Sequence, residues 1–403
     1  SPEKFKVRWK RVMDSAVSLS FMEEENKRLE RLAYYARCKS LAQEKDILGR
    51  FSNVLHRRGL VGEDTNGKTT YLAGTSRVLD KPVNELVKGT SASGKSFMVE
   101  RVAGFFQEHR DYEALSSVSE KFLINTDTEY KHKILIIYEW DGVGHSDFLS
   151  YLIRTLMSEG KIKVGKSVKD ENGNWVGVEL EKEGPTGVIV TTTRPNIHWE
   201  NETRHLTLTT NDSPEQTRRI FRAIARQDDD DDFADEMEKE LELWRDFQGW
   251  IALGDNRVVV PYGSQLAEEI PATAVRLRRD FSTIMNLIRS HALLHQANRN
   301  RDDRGRLIAT LDDYAIVRDL INANISEGIG RTVRETTRET VTAVQELIDS
   351  GKDAVTNNDL TKPLGLDVST INSRVNFAIA EGYLVNNESA RNKAKKIVLG
   401  DPM

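Results

Sequence analysis

Apolar and charged positions alternate at helical spacing through the first stretch of the chain, at Phe21-Met22, Leu29, Leu32-Ala33 and Leu41. This predicts a mostly helical region over 1–80. Apolar runs at Phe51 to Leu55 and Tyr71-Leu72-Ala73 continue it. Near residue 81 the pattern changes. From there to about 225, strand-length apolar runs alternate with helix-length amphipathic stretches, as in a parallel sheet with crossover helices. Leu86-Val87 and Ala114-Leu115-Ser116 read as short strands. Ile134 to Tyr138 and Val188 to Thr193 are buried strands, lacking the alternation that a half-exposed strand shows; Pro195 stops the second. Phe97 to Phe106 and Asp147 to Glu159 have helical period.

Between Gly160 and Val188 the alternation is that of a hairpin: Lys161 to Lys169, a polar turn Asp170 to Asn174 containing Asn172-Gly173, and a return from Trp175 to Leu180. Residues 233–335 revert to helix, with an apolar face at Phe281, Ile284, Met285, Leu287, Ile288, Leu293 and Leu294. Val341 to Ile348 is a helix, Asn358 to Leu360 opens a second, Gly365 to Thr370 turns, and Thr370 to Glu381 is a third. Gly382 to Val385 then enters a wing around Asn386 to Lys396, returning through Ile397 to Leu399. Helix, helix, turn, helix and basic wing describe a winged helix-turn-helix. The expected organisation is α/β: a helical collar or linker at 1–80, an ATPase core at 81–226 with a lysine hairpin at 161–181, an acidic linker and helical lid at 227–335, and the winged segment at 336–403.

Composition narrows the class. A chain of 403 residues is long enough for two or three domains. No apolar stretch approaches the ~18–20 residues of a membrane span, and no signal-peptide pattern opens the chain. A single cysteine, Cys38, excludes an intrachain disulfide framework and a cysteine-rich zinc site, which points to a reducing cytoplasm, bacterial or phage-infected. The start at Ser1 rather than Met points to a fragment whose upstream domain, a primase for example, is missing. A net charge of −5 argues against a surface that coats nucleic acid throughout, but permits basic elements lining a channel. The run Asp228 to Asp232 reads as a solvated connector.

The chemistry begins with Gly89-Thr90-Ser91-Ala92-Ser93-Gly94-Lys95-Ser96, which fits G-x-x-x-x-G-K-[ST]. In such a loop the glycines let backbone N–H groups turn inward onto the phosphates of ATP, Lys95 reaches the β/γ oxygens, and Ser96 holds Mg²⁺. Glu139 follows the buried strand Ile134 to Tyr138, where a carboxylate polarises the attacking water. The residue before it, usually a second acid, is Tyr138; Asp141 is the candidate metal carboxylate in its place. Thr192 or Thr193 is expected to bond the attacking water, and Arg204 to reach the nucleotide of a neighbouring subunit. Arg278 and Arg279 open a helix where a lid arginine would touch the γ-phosphate. Lys161, Lys163, Lys166 and Lys169 are expected on one side of the hairpin, meeting phosphates of a polynucleotide; a merely solvated hairpin fits the same charges. In the winged segment Ser369, Thr370, Asn372, Ser373 and Arg374 would face a groove, with Arg391, Lys393, Lys395 and Lys396 on phosphates; a protein-binding role is the alternative.

In this order the motifs GTSASGKS, KILIIYEWDG, FLSYLIRTLMSEGKIKVGKSVKDENGNW, GPTGVIVTTTRP and EQTRRI resemble the AAA+ helicases of the minichromosome-maintenance type. They look closest to helicase portions of replication proteins carried by phages, plasmids and other mobile elements. A weaker match adds PATAVRLRRDFSTIMNLIRSHALLHQ. The resemblance implies a hexameric ring around single-stranded DNA with ATP held between subunits. It further implies that the lysine hairpin is the pre-sensor hairpin in the channel, Glu139 the catalytic glutamate, Arg204 the trans-acting arginine and Arg279 the lid sensor. Tyr138 departs from the family pattern, and Arg194-Pro195 blurs which threonine senses phosphate. The expected function is an ATP-driven DNA translocase or helicase in replication of a mobile element. Two alternatives stay open: an ATP-dependent switch on a winged-helix binder, and a loader or remodeller, which would carry an apolar or aromatic pore element.

Overall fold

A computed structural model describes residues 2–140, 146–194, 204–225, 231–270, 277–332, 335–380, 382–388 and 393–400, with backbone alone at 2–20, 147, 231–233, 326–332 and 335. Five parallel strands form the central sheet: β1 Glu85–Lys88, β2 Tyr112–Leu115, β3 Lys133–Ile137, β6 Thr186–Thr192 and β7 Leu206–Thr209. Their spatial order is β2-β3-β6-β1-β7, so β6 is inserted between the first strand and the third. β4 Lys161–Lys169 and β5 Trp175–Glu183 stand apart as an antiparallel hairpin. Four of the five sheet strands are the apolar runs read in the sequence, β7 being the one that was not, and together with the loop after β1 they give the expected α/β P-loop core.

One face of the sheet is covered by the helix Asp147–Glu159, whose Leu149, Leu152, Ile153 and Leu156 pack with Leu135, Ile137, Val188 and Val190. The foot of the hairpin, Ile162 with Val164 and Leu180, joins the same cluster, so the hairpin is rooted in the core. Ser146 caps this helix by accepting from Leu149 N–H, and Gly160 ends it in the left-handed region at φ 71°.

A second core is aromatic. Phe51 on the helix Ile47–Arg57, Tyr71 on Asp64–Thr75, Phe105 just after the helix Lys95–Ala103, and Trp244 on Asp231–Ala252 have ring centroids 4.5–5.9 Å apart. Offset and edge-on pairs at such distances stabilise by about 0.5–1.5 kcal/mol each beyond the area they bury. Beside it Arg77 is wholly buried, its guanidinium donating to Asp111 Oδ1 at 2.8 Å and Gln248 Oε1 at 2.7 Å. Removing one partner of such a pair leaves an uncompensated interior charge. This knot fastens the region before β1, the loop before β2 and the helix Asp231–Ala252 to one another.

The chain divides into two compact units, Ser1–Pro261 with Asn286–Leu320 and Tyr262–Met285 with Ile321–Met403. The boundaries therefore cut through the segment 227–335, and the helices at 47–75 share the unit of the sheet. The first unit also contains the short parallel pair β8 Val258–Val259 and β9 Leu307–Ile308. In the second, the helix Glu335–Asp349, a 3₁₀ turn Asn357–Leu360, a short helix Thr361–Leu364 and the helix Val368–Ala380 precede antiparallel β10 Leu384–Asn386 and β11 Ile397–Leu399. Val344, Leu360, Ile371, Val375 and Ile397 form their common core. Among the described residues no helix is long and apolar enough to cross a membrane.

Glu85 in β1 carries a stability prediction. Its side chain is fully buried, and neither carboxyl oxygen has a hydrogen-bond partner. Burial pushes its pKa up to about 8, against an opposing pull from the nearby Thr70 hydroxyl. In the unfolded chain a glutamate ionises near ~4.3. Between these two values the folded form holds a proton that the unfolded form has lost, so stability falls as pH rises from about 4.5 toward about 8. The loss approaches about 1.4 kcal/mol per pH unit from this group. Glu85→Gln should flatten that part of the profile and gain on the wild type as pH rises. Denaturant unfolding at pH 5, 6, 7 and 8 tests it; a constant difference between the two proteins would contradict it.

Candidate active site

The phosphate-binding loop runs from the end of β1 into the helix Lys95–Ala103, placing the helix N-terminus under it. Two residues turn the backbone through the left-handed region, Ala92 at φ 64° and Gly94 at φ 86°. At Gly89 the requirement is space: a Cβ would stand 2.1 Å from Thr210 Oγ1 and 2.4 Å from Ser93 Oγ. The Lys95 ammonium donates to the carbonyls of Gly89 at 2.9 Å and Thr90 at 2.7 Å, drawing the loop around itself. Burial lowers the Lys95 pKa and the Glu139 carboxylate opposes that shift, so the two groups lie within electrostatic reach. Ser96 is exposed on the first helical turn. An N–H-rich turn at a helix start, a lysine and an adjacent hydroxyl fit a triphosphate with Mg²⁺.

The segment after β7 braces this loop, which sequence reasoning did not find. Ser93 and Thr210 share a hydroxyl–hydroxyl bond of 2.8 Å, and the Thr90 hydroxyl donates to Asp212 Oδ2 at 3.3 Å. Glu63 Oε1 accepts from Asn211 N–H at 2.8 Å, and the Asn66 amide donates to Thr209 O at 3.0 Å. Burial raises the Glu63 pKa. The start of the helix Asp64–Thr75 is thus tied to the loop's support. No local motif marks these residues; only strand adjacency brings them together.

Glu139, two residues past β3, is exposed and adopts φ 62°. A left-handed conformation at a non-glycine residue costs about 1–2 kcal/mol, which the surroundings must hold in place. Here they do: Glu139 N–H donates to Thr191 Oγ1 at 3.1 Å, Trp140 N–H to Thr191 O at 2.8 Å, and the Trp140 side chain is buried. Thr191 is therefore the strand-end hydroxyl that meets Glu139. Thr192 is buried, paired in register with Lys88, and its Oγ1 accepts from Arg194 N–H. Thr193 lies exposed just beyond β6. Tyr138, in the place of the usual first acid, is half-buried, and burial holds its phenol near 12. Asp141 lies outside the described residues, as does Arg391. Among the described residues no cluster of three or more His, Cys, Asp or Glu could hold a metal by itself.

Arg204, just before β7, donates to the Ser158 hydroxyl in the last turn of Asp147–Glu159. Arg278 and Arg279 are exposed in the first turn of the helix Leu277–Leu294, within the second compact unit.

The hairpin register departs from the expected lysine row. Lys161, Lys163 and Lys169 share one face with Glu179, Glu181, Glu183 and Trp175, while Lys166 falls on the other, opposite Val178. A strand places successive side chains on opposite faces, so three residues separate Lys163 from Lys166 in the wrong parity. Lys161 pairs with Glu181 at 3.5 Å and Lys163 with Glu179 at 2.8 Å, so the stem's positive charge is largely met within the hairpin. Lys166 donates to Asn125 Oδ1 at 2.9 Å. At the tip, Lys169 Nζ stands 5.3 Å from the Trp175 ring centroid.

In the C-terminal unit, the side chain of Asp367 caps the helix Val368–Ala380, accepting from Ser369 and Thr370 N–H and from the Thr370 hydroxyl. Arg374 pairs with Glu339 at 2.8 Å. Lys395 donates to Asn372 Oδ1 at 2.7 Å and to Asn376 Oδ1, linking the wing to that helix, and Lys393 is exposed.

No protein-family model matches the chain, and no curated protein does. Among solved structures it is similar to a full-length MCM homolog from Methanopyrus kandleri, at 13% identity over 72% of this chain and TM-score 0.43. The match spans 61% of that protein's length. It is also similar to the Aeropyrum pernix ORC1 protein in complex with DNA, at 14% identity over 86% of this chain and 93% of that one, TM-score 0.24. A mutant Thermotoga maritima RuvB matches at 13% identity over 84% and 93%, TM-score 0.26. At such scores the fold rests on the strand order and the loop themselves.

Proposed function

We propose that this chain is an ATP hydrolase of the AAA+ type that assembles as a hexameric ring and moves along DNA, in the replication of a mobile element. The observation that carries the reading is the convergence at the strand ends. Lys95 after β1, Glu139 after β3 and Thr191 at the end of β6 meet at one edge of the sheet, and the helix after Glu139 leads straight into a hairpin. Glu139 then takes a proton from the water that forms the new bond to the γ-phosphorus as the β–γ bridging P–O bond breaks. Thr191, by holding the Glu139 backbone, fixes where that carboxylate points. Mg²⁺ held at Ser96 would neutralise phosphate charge. The winged helix-turn-helix arrangement of residues 336–403 would add a second DNA contact. Arg279 is proposed as the lid arginine and Asp141 as a metal carboxylate.

A second reading has an observation in its favour. The neutralised stem and the exposed Trp175 and Val176 at the hairpin tip also fit a remodeller that grips polypeptide. ATP turnover with and without single-stranded DNA, together with mass measurement in a non-hydrolysable ATP analogue, separates them. The motor predicts DNA-stimulated turnover and about six subunits; a DNA-indifferent ATPase would overturn it. Arg204 gives a sharper check. Arg204→Ala should lower turnover about 10³-fold. Mixing it with Glu139→Gln subunits should restore part of the loss, because every intact Glu139 that adjoins a Glu139→Gln subunit on the donating side then receives that neighbour's arginine. No restoration at any mixing ratio would place Arg204 in its own subunit's structure only.

A further inference from the structure

We infer that a cleft beside the helix Pro2–Ala42 takes the C-terminal end of a partner polypeptide, an apolar last residue with its free carboxylate. The cleft has a volume of about 430 Å³, within the range of about 300–1,000 Å³ typical of ligand pockets. Arg28, Arg31, Leu32 and Tyr35 recur at i, i+3, i+4 and i+7 on that helix, so they line it from one face. Trp250 on the helix Asp231–Ala252 and Ala297 on the 3₁₀ turn Gln296–Asn298 close it. All six belong to the first compact unit. Its floor is apolar and fixed by packing: Trp250 is buried, with its ring centroid 5.3 Å from that of Tyr35. Leu32, by contrast, is 53% exposed, an apolar side chain left uncovered at the rim.

Donors at the wall of the cleft lack acceptors. Arg31 donates to Gln296 Oε1 at 3.1 Å, but Arg31 Nε and Gln296 Nε2 are buried without a hydrogen-bond partner. Burial and the nearby Arg301 both lower the Arg31 pKa; the carboxylate that opposes them, Asp255, is itself bonded by Arg257 at 2.6 Å. The Arg31 guanidinium carbon stands 5.5 Å from the Trp250 ring centroid, so the cation adjoins the apolar floor. Arg28, one turn earlier, is exposed and meets only Glu25, at 3.2 Å on the solvent side. Two guanidinium groups against an apolar floor suit a carboxylate carried on the same carbon as an apolar side chain, which is what a C-terminal residue presents. An internal aspartate carries its apolar neighbour on a different residue, farther from the acid. A polynucleotide fits less well, because Glu23, Glu24 and Glu30 stand exposed on the same helix and would repel phosphates running out of the cleft.

The test titrates the full chain with N-acetyl-leucyl-phenylalanine and with its C-terminal amide, following both by saturation-transfer NMR. Wild type should prefer the acid about tenfold, because a hydrogen bond to an ionised acceptor is about twice as strong as one to a neutral acceptor. Arg31→Gln should weaken the acid about 10- to 150-fold and the amide less; with Arg28→Gln added, the preference for the acid should vanish. Leu32→Ser should weaken acid and amide alike, since it removes apolar contact and no charge. Arg28→Gln and Leu32→Ser, both at exposed positions, should keep the wild-type melting temperature and basal ATP turnover, which separates lost binding from misfolding. Equal binding of acid and amide by wild type, binding of neither, or an acid preference that survives in the double variant would overturn the inference. Displacement of the acid by dT20 would assign the cleft to polynucleotide and overturn it as well.

Discussion

Glu139→Gln should reduce ATP turnover about 10²- to 10⁴-fold, the range that a positioned general base contributes, and leave nucleotide affinity nearly unchanged. The amide cannot accept the proton of the attacking water, yet it matches the carboxylate in size. Its backbone frame should persist, because the left-handed conformation is held by main-chain bonds to Thr191 and by the buried Trp140, not by the carboxylate. Fluorescent-nucleotide titration and single-turnover hydrolysis on the same preparation provide the two numbers. A variant that hydrolyses within tenfold of wild type would remove Glu139 from the chemistry. Thr191→Val supplies a control: with the hydroxyl gone the Glu139 N–H loses its acceptor, so turnover should fall while the carboxylate remains.

Lys95→Ala should lower ATP affinity by about two orders of magnitude, as loss of charge-assisted hydrogen bonds worth about 2–3 kcal/mol predicts. The ammonium that bridges the Gly89 and Thr90 carbonyls is the one positive group inside the loop, and Glu139 stands close enough to be felt by it. Lys95→Met keeps the aliphatic stem against the core and removes only the charge. Both variants should melt near the wild-type temperature without nucleotide, and both should lose the upward shift that ATP gives the wild type. An ATP-dependent shift retained in Lys95→Met would show that triphosphate binds elsewhere.

Much of this architecture was legible because its signals are local. The loop motif, the two unalternating strands and the Asn172-Gly173 turn each occupy a few contiguous residues, and the sheet follows from their order. What escaped depended on contacts distant in sequence. Nothing near Thr210 or Asp212 announces that they support the phosphate loop; β7 lying beside β1 creates that role. The sequence pointed to Thr192 or Thr193 for the attacking water, but the hydroxyl that accepts from the Glu139 N–H belongs to Thr191, a contact that only the fold supplies. The lysine hairpin shows a different limit. Its composition was plain, but the partners of its charges sit on the returning strand, and only the register pairs Lys163 with a glutamate. Buried pairs such as Arg77 with Asp111 left no trace in periodicity either, since a single interior arginine looks like a surface one in sequence.

The cross-strand pairing of Lys161 and Lys163 has a mechanical reading. A beam whose charges cancel along its own length neither bends toward a passing polyanion nor clings to it, so reach and grip become separable properties. For the proposed DNA motor, ionic strength should then tune how firmly the strand is held while the length of each step stays the same.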